Sequence, residues 1–93
     1  MKLEKLLERI DYKVLAGSTD IEISTLVYDS RKVEKASVFV CISGAVSDAH
    51  DFIPDVVKKG AAAVVVEKDV TPIDGVTYIK VDDTRLALAC MSA

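Results

Sequence analysis

The sequence predicts an α/β fold with three layers, in which helices cover both faces of a mixed or mostly parallel sheet of four to five strands. Residues 38–42 and 61–66 are continuous apolar runs, which are typical of strands buried on both faces. Between them, residues 51–59 have the apolar spacing of a helix. A helix that joins two buried strands indicates a parallel pair with a right-handed crossover.

The other elements are predicted from local patterns of the same kind. Residues 3–10 indicate an amphipathic helix, because leucine and isoleucine recur there at helical spacing. Short strands are indicated at residues 12–15, 21–28 and 76–81, with polar turns between them. A last helix begins at a cap formed by one of three residues and has no stop signal before the chain ends. The candidate caps are Asp82, Asp83 and Thr84.

The helix at residues 51–59 has recognisable ends. Pro54 is compatible only with its first turn, where the missing N–H would have no partner inside the helix. Lys58 and Lys59 suit the negative end of the helix dipole. Gly60 suits the position just after the helix, where a positive φ is common.

Composition and charge exclude several classes of function. A chain of 93 residues forms one small domain. Its net charge of −3 and its lack of long basic runs argue against nucleic-acid binding. No signal sequence or membrane-spanning stretch is present, so we expect a cytoplasmic protein that does not bind membranes. Cys41 and Cys90 lie in apolar segments without CxxC spacing, which indicates free buried thiols.

Polar residues follow the predicted strand that ends at Tyr28. Ligands of open α/β sheets bind beyond the carboxyl ends of the strands. There Ser30 can exchange hydrogen bonds with a base edge or a ribose hydroxyl, and Arg31 can pair with phosphate. Asp29 can orient Arg31 or cap the turn. Taken alone, these residues are more typical of an ordinary Asx turn.

A second candidate is the loop at residues 43–48, which joins a buried strand to the start of a helix. Gly44 allows a ligand to approach the backbone closely, and the N–H groups of a helix start favour anions. The loop matches neither the GxGxxG nor the GxxxxGK[ST] pattern. A plain connecting loop is therefore the alternative.

These features together resemble the amino-terminal domain of the Mur ligases. The resemblance is carried by Asp-Ser-Arg-Lys-Val at residues 29–33, the apolar strand at 38–42, and Asp-Ala-His-Asp-Phe-Ile at 48–53. It is closest to the MurE type, which adds the third residue to the peptidoglycan stem peptide. Two departures are Ala36, in a turn that usually reads Pro-Gly-Asp, and Ala49, where Gly is usual.

The resemblance implies a substrate-binding role without catalytic residues. The domain would hold the uridine-nucleotide end of UDP-N-acetylmuramoyl-L-alanyl-D-glutamate. The full-length enzyme would use ATP and Mg²⁺ in a second domain to activate the glutamate carboxylate as an acyl-phosphate, which the amine of meso-diaminopimelate or L-lysine attacks. No cofactor or metal is expected in this chain, and the isolated chain should have neither ATPase nor ligase activity. The implied contacts are Tyr28, Ser30, Ala45, Val46 and Ser47, with possible support from Asp29, Arg31 and Gly44.

Other interpretations of the chain are kept open. The D-alanyl-D-alanine-adding ligase, of the MurF type, shares the fold, and a non-enzymatic α/β interaction module, such as a receiver-like domain, is the alternative from another class. His50 is the only histidine, and it and the Asp82-Asp83 pair fit helix caps better than a metal or a general base.

A shared nucleotide pocket places a strong demand on the geometry. The strands that end at Tyr28 and Ile42 must run parallel, although only residues 29–37 connect them. We expect a largely extended return, with Val33 against the edge of the sheet and Lys32, Glu34 and Lys35 facing solvent. A hairpin is the local alternative, and it would separate Ser30 from the loop after Ile42.

Overall fold

The computed structural model describes residues 2–42, 52–68 and 70–92. Within them, five strands form one sheet in the order β1-β5-β4-β3-β2. β1 is antiparallel to β5, and the other three pairs of neighbours are parallel. The mixed five-stranded sheet is therefore confirmed. The strands are β1 (Lys13–Ala16), β2 (Thr25–Val27), β3 (Ser37–Val40), β4 (Ala63–Val66) and β5 (Thr77–Lys80).

Helices cover both faces of this sheet, as the sequence predicts. α1 (Leu3–Leu6), which continues as a 3₁₀ turn at Leu7–Arg9, lies on one face together with α3 (Thr84–Ser92). α2 (Ile53–Lys58) lies on the other face. Because successive strand residues point to opposite faces, β3 and β4 supply side chains to both cores. Every residue of these two strands is buried, which explains their continuous apolar sequence.

The predicted bounds agree with the structure to within one or two residues, except at β2. Residues 21–28 were expected to form one strand, but only Thr25–Val27 do so. The preceding backbone serves α1 instead, because the Ile21 carbonyl accepts a hydrogen bond from Leu3 N at 2.9 Å. Glu22 forms an isolated antiparallel bridge with Lys2. The backbone of residues 21–22 is thus paired with the start of the chain, and β2 begins only after it.

α2 ends as its sequence predicts. Gly60 N donates to the Val57 carbonyl and Ala61 N to the Val56 carbonyl, both at 3.1 Å, which is the Schellman pattern of a helix end. Gly60 has φ +105, and a Cβ on it would lie 3.0 Å from the Cα of Lys35. Glycine is therefore required by both the backbone angle and the close approach of the neighbouring turn.

That neighbouring turn, residues 34–37, joins three parts of the fold at the amino edge of the parallel strands. Ser37 N donates to the Glu34 carbonyl at 3.2 Å, and Ala36 between them has φ +66. Ala36 N donates to the Gly60 carbonyl and its carbonyl accepts from Ser24 N, both at 2.8 Å. The turn therefore connects the start of β3 to the end of α2 and to the residue before β2.

The start of α3 is held by carboxylates from two elements. Asp83 Oδ1 accepts from Arg85 N at 3.0 Å and from Leu86 N at 3.1 Å, so Asp83 is the cap among the three candidates. Glu67, just after β4, accepts from both the backbone N and the hydroxyl of Thr84 at 2.7 Å. Thr84 is fully buried, so this contact fastens α3 to the end of β4.

We expect Ala36→Gly to stabilise the domain by about 0.5–1 kcal/mol. The positive φ of Ala36 is strained for any residue with a Cβ, and this gain exceeds the larger chain entropy of glycine in the unfolded state. Urea unfolding measures the difference. The matched control is Ala89→Gly within α3, which makes the same chemical change in a helix and should cost about 1 kcal/mol. A loss of stability in Ala36→Gly would contradict the assigned strain.

We expect Glu67→Ala to destabilise the domain by about 2 kcal/mol, because it leaves two donors of the buried Thr84 without their acceptor. Glu67→Gln should cost less, since its amide oxygen can still accept. Chemical denaturation followed by circular dichroism checks both values. Asp82→Asn is the control, because Asp82 is exposed beside the same helix start. Equal losses of stability in Glu67→Ala and Asp82→Asn would show that Glu67 acts only through its negative charge near the helix start.

Candidate nucleotide-binding edge

The candidate site lies at the carboxyl edge of the parallel strands. β2 and β3 pair in parallel, with Val27 opposite Phe39. Tyr28 and the residues after Val40 therefore leave the sheet at the same edge, which confirms the expected geometry and excludes the hairpin. Cys41 continues the pairing, because its N donates to the Val65 carbonyl at 2.9 Å. The shared edge is the condition that a common pocket requires.

The return from β2 to β3 differs from the expected extended segment. Residues 28–36 include a 3₁₀ turn at Ser30–Lys32 and end in the turn described above, so "largely extended" was wrong. Val33 is half-buried and packs against the core on the α2 face, in line with its expected role as the anchor. The side chains expected in solvent are exposed, namely those of Lys32, Glu34 and Lys35.

Tyr28 presents an aromatic ring at this edge. Its side chain is 62% exposed, the highest value among the large apolar residues of the described chain together with Leu86. It borders a groove of about 420 Å³ between α1, α3 and the outer strand β2. An exposed ring beside an apolar groove suits stacking against a planar base. The groove is also lined by Leu6, Ser24, Thr25, Leu26, Leu88 and Met91.

Asp29 and Arg31 form a compact clamp next to Tyr28. One oxygen of Asp29 accepts from Arg31 N at 2.9 Å and from Nε at 3.1 Å, and the other accepts from Nη2 at 2.9 Å. Both suggested roles of Asp29 are therefore present, because it caps the 3₁₀ turn and orients the guanidinium. Ser30 is the first residue of that turn.

The hydrogen bonds of this clamp change the acidity of Asp29. The Arg31 side chain and backbone N–H stabilise the carboxylate, so the pKa of Asp29 falls from 3.8 to about 2. The same contact raises the pKa of Arg31 above its usual value. Asp29 is therefore ionised throughout the physiological range.

The residues predicted to form the loop after Ile42 lie outside the described residues. They include His50 and the predicted nucleotide contacts Gly44, Ala45, Val46 and Ser47, and the placement of these four contacts beside Tyr28 stays a prediction. Among the described residues, no group of three or more His, Cys, Asp or Glu side chains is arranged to hold a metal ion. Asp83 is committed to the cap of α3. Cys41 is a buried free thiol, as predicted, whereas Cys90 is only half-buried.

Sequence reasoning missed a second hollow at the same edge, between β1 and β5. It has a volume of about 310 Å³, and Lys13 and Lys80 are cross-strand partners beside it. Like charges directly opposite each other in antiparallel strands disfavour pairing. The acidic residues Asp11 and Asp82 also line the hollow and offset these charges. No local motif marks this feature, because it depends on a pairing between the two ends of the chain.

Fold and edge together define an α/β domain whose polar loops are gathered at the carboxyl ends of parallel strands. A family model described as "Mur ligase family, catalytic domain" matches residues 22–93. The chain therefore belongs to the Mur ligase family. None of the helices in the described ranges has the length and apolar character needed to span a membrane.

Individual relatives give the same result. The chain is 49% identical over 89 residues to the UDP-N-acetylmuramoyl-L-alanyl-D-glutamate--2,6-diaminopimelate ligase of Alkaliphilus metalliredigens (strain QYMF), covering 96% of this chain and 18% of the relative. It is 44% identical over 93 residues to the ligase of the same name from Clostridium perfringens (strain 13 / Type A), covering 100% of this chain and 19% of the relative.

A solved structure confirms the fold. A MurF crystal structure from Acinetobacter baumannii superposes with a TM-score of 0.79 at 30% identity, covering 97% of this chain and 20% of that one. The chain thus spans about a fifth of the length of the proteins it matches.

We expect the Asp29 carboxylate to titrate with a pKa of about 2 in the folded domain. Because this pKa is depressed, the stability contributed by the clamp is present above pH 3.8 and is lost as the pH falls toward 2. A ¹³C NMR titration of the carboxyl carbon measures the midpoint. In Arg31→Gln the midpoint should return toward 3.8. An unchanged midpoint in that variant would contradict the assigned cause.

Proposed function

We propose that this chain is the amino-terminal, uridine-nucleotide-binding domain of a MurE-type ligase. It would hold the UDP end of UDP-N-acetylmuramoyl-L-alanyl-D-glutamate, while the rest of a longer protein joins the third residue of the stem peptide. The observation that carries the proposal is the parallel pairing of β2 with β3, which brings Tyr28 to the edge at which β3 also ends. The names and identities of the two ligases support the choice of substrate.

In this proposal the base lies against Tyr28, and Ser30 exchanges hydrogen bonds with the base or the ribose. Ala45, Val46 and Ser47, which follow β3 in the sequence, are the other proposed contacts of the nucleotide. All these contacts are at the nucleotide end, far from the peptide carboxylate that reacts. Their binding energy positions the reacting end of the substrate and reduces the entropy that the chemical step must overcome.

ATP and Mg²⁺ do not fit the residues of this chain. The sequence contains no GxxxxGK[ST] loop to surround a triphosphate. The N-terminus of α3 is already occupied by Asp83 and Glu67, so it cannot serve as a phosphate site. We therefore place ATP and Mg²⁺ in the other domains of the ligase, and we assign no catalytic residue to this chain.

The closest alternative is the corresponding domain of a MurF-type ligase. The MurF structure from Acinetobacter baumannii supports the shared fold, but at 30% identity. The diaminopimelate-adding ligases are 44% and 49% identical over almost the same residues, which favours the MurE type. A stand-alone interaction module would bind no uridine nucleotide, so the experiment below separates it from both ligases.

We expect the 93-residue chain to bind UDP weakly, with a Kd of hundreds of micromolar or weaker. That affinity corresponds to a binding free energy of about −5 kcal/mol or a less favourable value. Binding is weak because one domain supplies only part of the pocket. Titration with UDP, followed by ¹H–¹⁵N NMR, should shift the amide signals of residues 28–30 and 44–47. Perturbations confined to other surfaces would count against the proposal.

A pair of tyrosine variants makes the same experiment sharper. Tyr28→Ala should weaken UDP binding about tenfold, because stacking of a base on an aromatic ring is worth about 1–3 kcal/mol. Tyr12→Ala is the matched control, since Tyr12 is 41% exposed but lies beside β1, at the opposite end of the sheet. Equal effects of the two substitutions would show that Tyr28 makes no specific contact.

A further inference from the structure

The Asp29–Arg31 clamp uses only one side of the guanidinium. A guanidinium has five N–H donors in a planar arrangement, and pairs of them can each grip an anion. Asp29 takes the pair formed by Nε and Nη2, at 3.1 Å and 2.9 Å. The remaining donors, which are the two hydrogens of Nη1 and the second hydrogen of Nη2, make no hydrogen bond to any residue in the described part of the chain. Asp29 therefore fixes the plane of Arg31 and leaves one donor edge open.

The open edge of Arg31 faces water. The Arg31 side chain is 86% exposed, whereas the Asp29 side chain is only 24% exposed. Arg31 is also three residues after Tyr28, in the segment that follows β2 at the edge where β3 ends. Its free donors and the ring that we assign to the base therefore belong to the same short segment after β2.

We propose that Arg31 binds the diphosphate of the nucleotide through its outer N–H groups, and that Asp29 is a positioning residue that holds Arg31 for this contact. The inference rests on the proposed function, because it concerns the same site. It assigns separate roles to the residues of the site: Tyr28 and Ser30 bind the nucleoside, and the clamp binds the diphosphate.

Asp29 has two opposing effects on this contact. Its negative charge weakens the local attraction for a diphosphate, and Lys32, which is also exposed, partly offsets this charge. In return, Asp29 removes most of the rotational freedom that an exposed arginine would otherwise lose on binding. Asp29 should therefore assist binding only when Arg31 is present, and this dependence distinguishes a positioning residue from one that merely supports the fold.

The test compares UDP with uridine, which lacks the phosphates, on the 93-residue chain by NMR titration. Arg31→Gln should weaken UDP binding about tenfold, as expected for the loss of a charge-assisted hydrogen bond, and should leave uridine binding unchanged. Arg31→Lys should recover part of the affinity, because it keeps the charge without the planar donor pair. Lys32→Gln is the matched control and should change UDP affinity less than about twofold, since Lys32 is not held by Asp29.

A double-mutant comparison tests the positioning role. Asp29→Asn should weaken UDP binding severalfold in the unmodified chain, and should cause no further loss in the Arg31→Gln background. The amide spectra of all variants establish that they are folded. Equal factors for Asp29→Asn in both backgrounds would overturn the positioning role. Equal losses of UDP and uridine in Arg31→Gln would overturn the diphosphate contact.

The two levels of the proposal fail differently. If the unmodified chain binds neither UDP nor uridine at this edge, the proposed function fails, and the clamp inference fails with it. If the chain binds both ligands at this edge with equal affinity, the nucleoside site stands and only the diphosphate contact is wrong. Stronger binding of UDP that is insensitive to Arg31→Gln would likewise place the phosphate contact on another residue.

Discussion

The parallel pairing of β2 with β3 is the constraint on which the rest of the molecule depends. Parallel neighbours usually need a dozen or more connecting residues and a helix, but here residues 28–36 make the return alone. The short link succeeds because each end is fixed by its own hydrogen bonds. At the carboxyl edge, Asp29 closes the 3₁₀ turn, and at the amino edge the turn at residues 34–37 binds Ser24 and Gly60.

This arrangement separates the groups that stabilise the fold from those that we propose face a ligand. The amino edge carries the strained Ala36 and the close approach of Gly60 to Lys35. Substitutions of Ala36 or Gly60 therefore change the stability of the fold. The carboxyl edge carries an exposed tyrosine and an exposed arginine, neither of which contributes to the two cores. Loss of an exposed group costs little stability, so the ligand edge can vary without endangering the sheet.

Most of the fold was predictable because its signals are local. Continuous apolar runs mark β3 and β4, and Pro54 and Gly60 mark the ends of α2. β2 was predicted too long because the first residues of the predicted strand form hydrogen bonds with α1 instead of the sheet. No local pattern reveals a contact between two separate segments of the chain. For the same reason Glu67 was missed as a partner of Thr84, since a lone glutamate after a strand carries no sign of a helix start 17 residues later.

The candidate site was predictable in part, and the resemblance supplied what the residues alone left open. Asp29-Ser30-Arg31 alone is more typical of an Asx turn than of a ligand loop, and the structure contains that turn. The turn and the ligand site are not rival interpretations, however, because the turn is what aims Arg31 outward. An Asx turn that ended in a short side chain would satisfy the backbone equally well. In our proposal, the long cation of Arg31 is held by Asp29 on one side and offers its remaining donors to the diphosphate on the other.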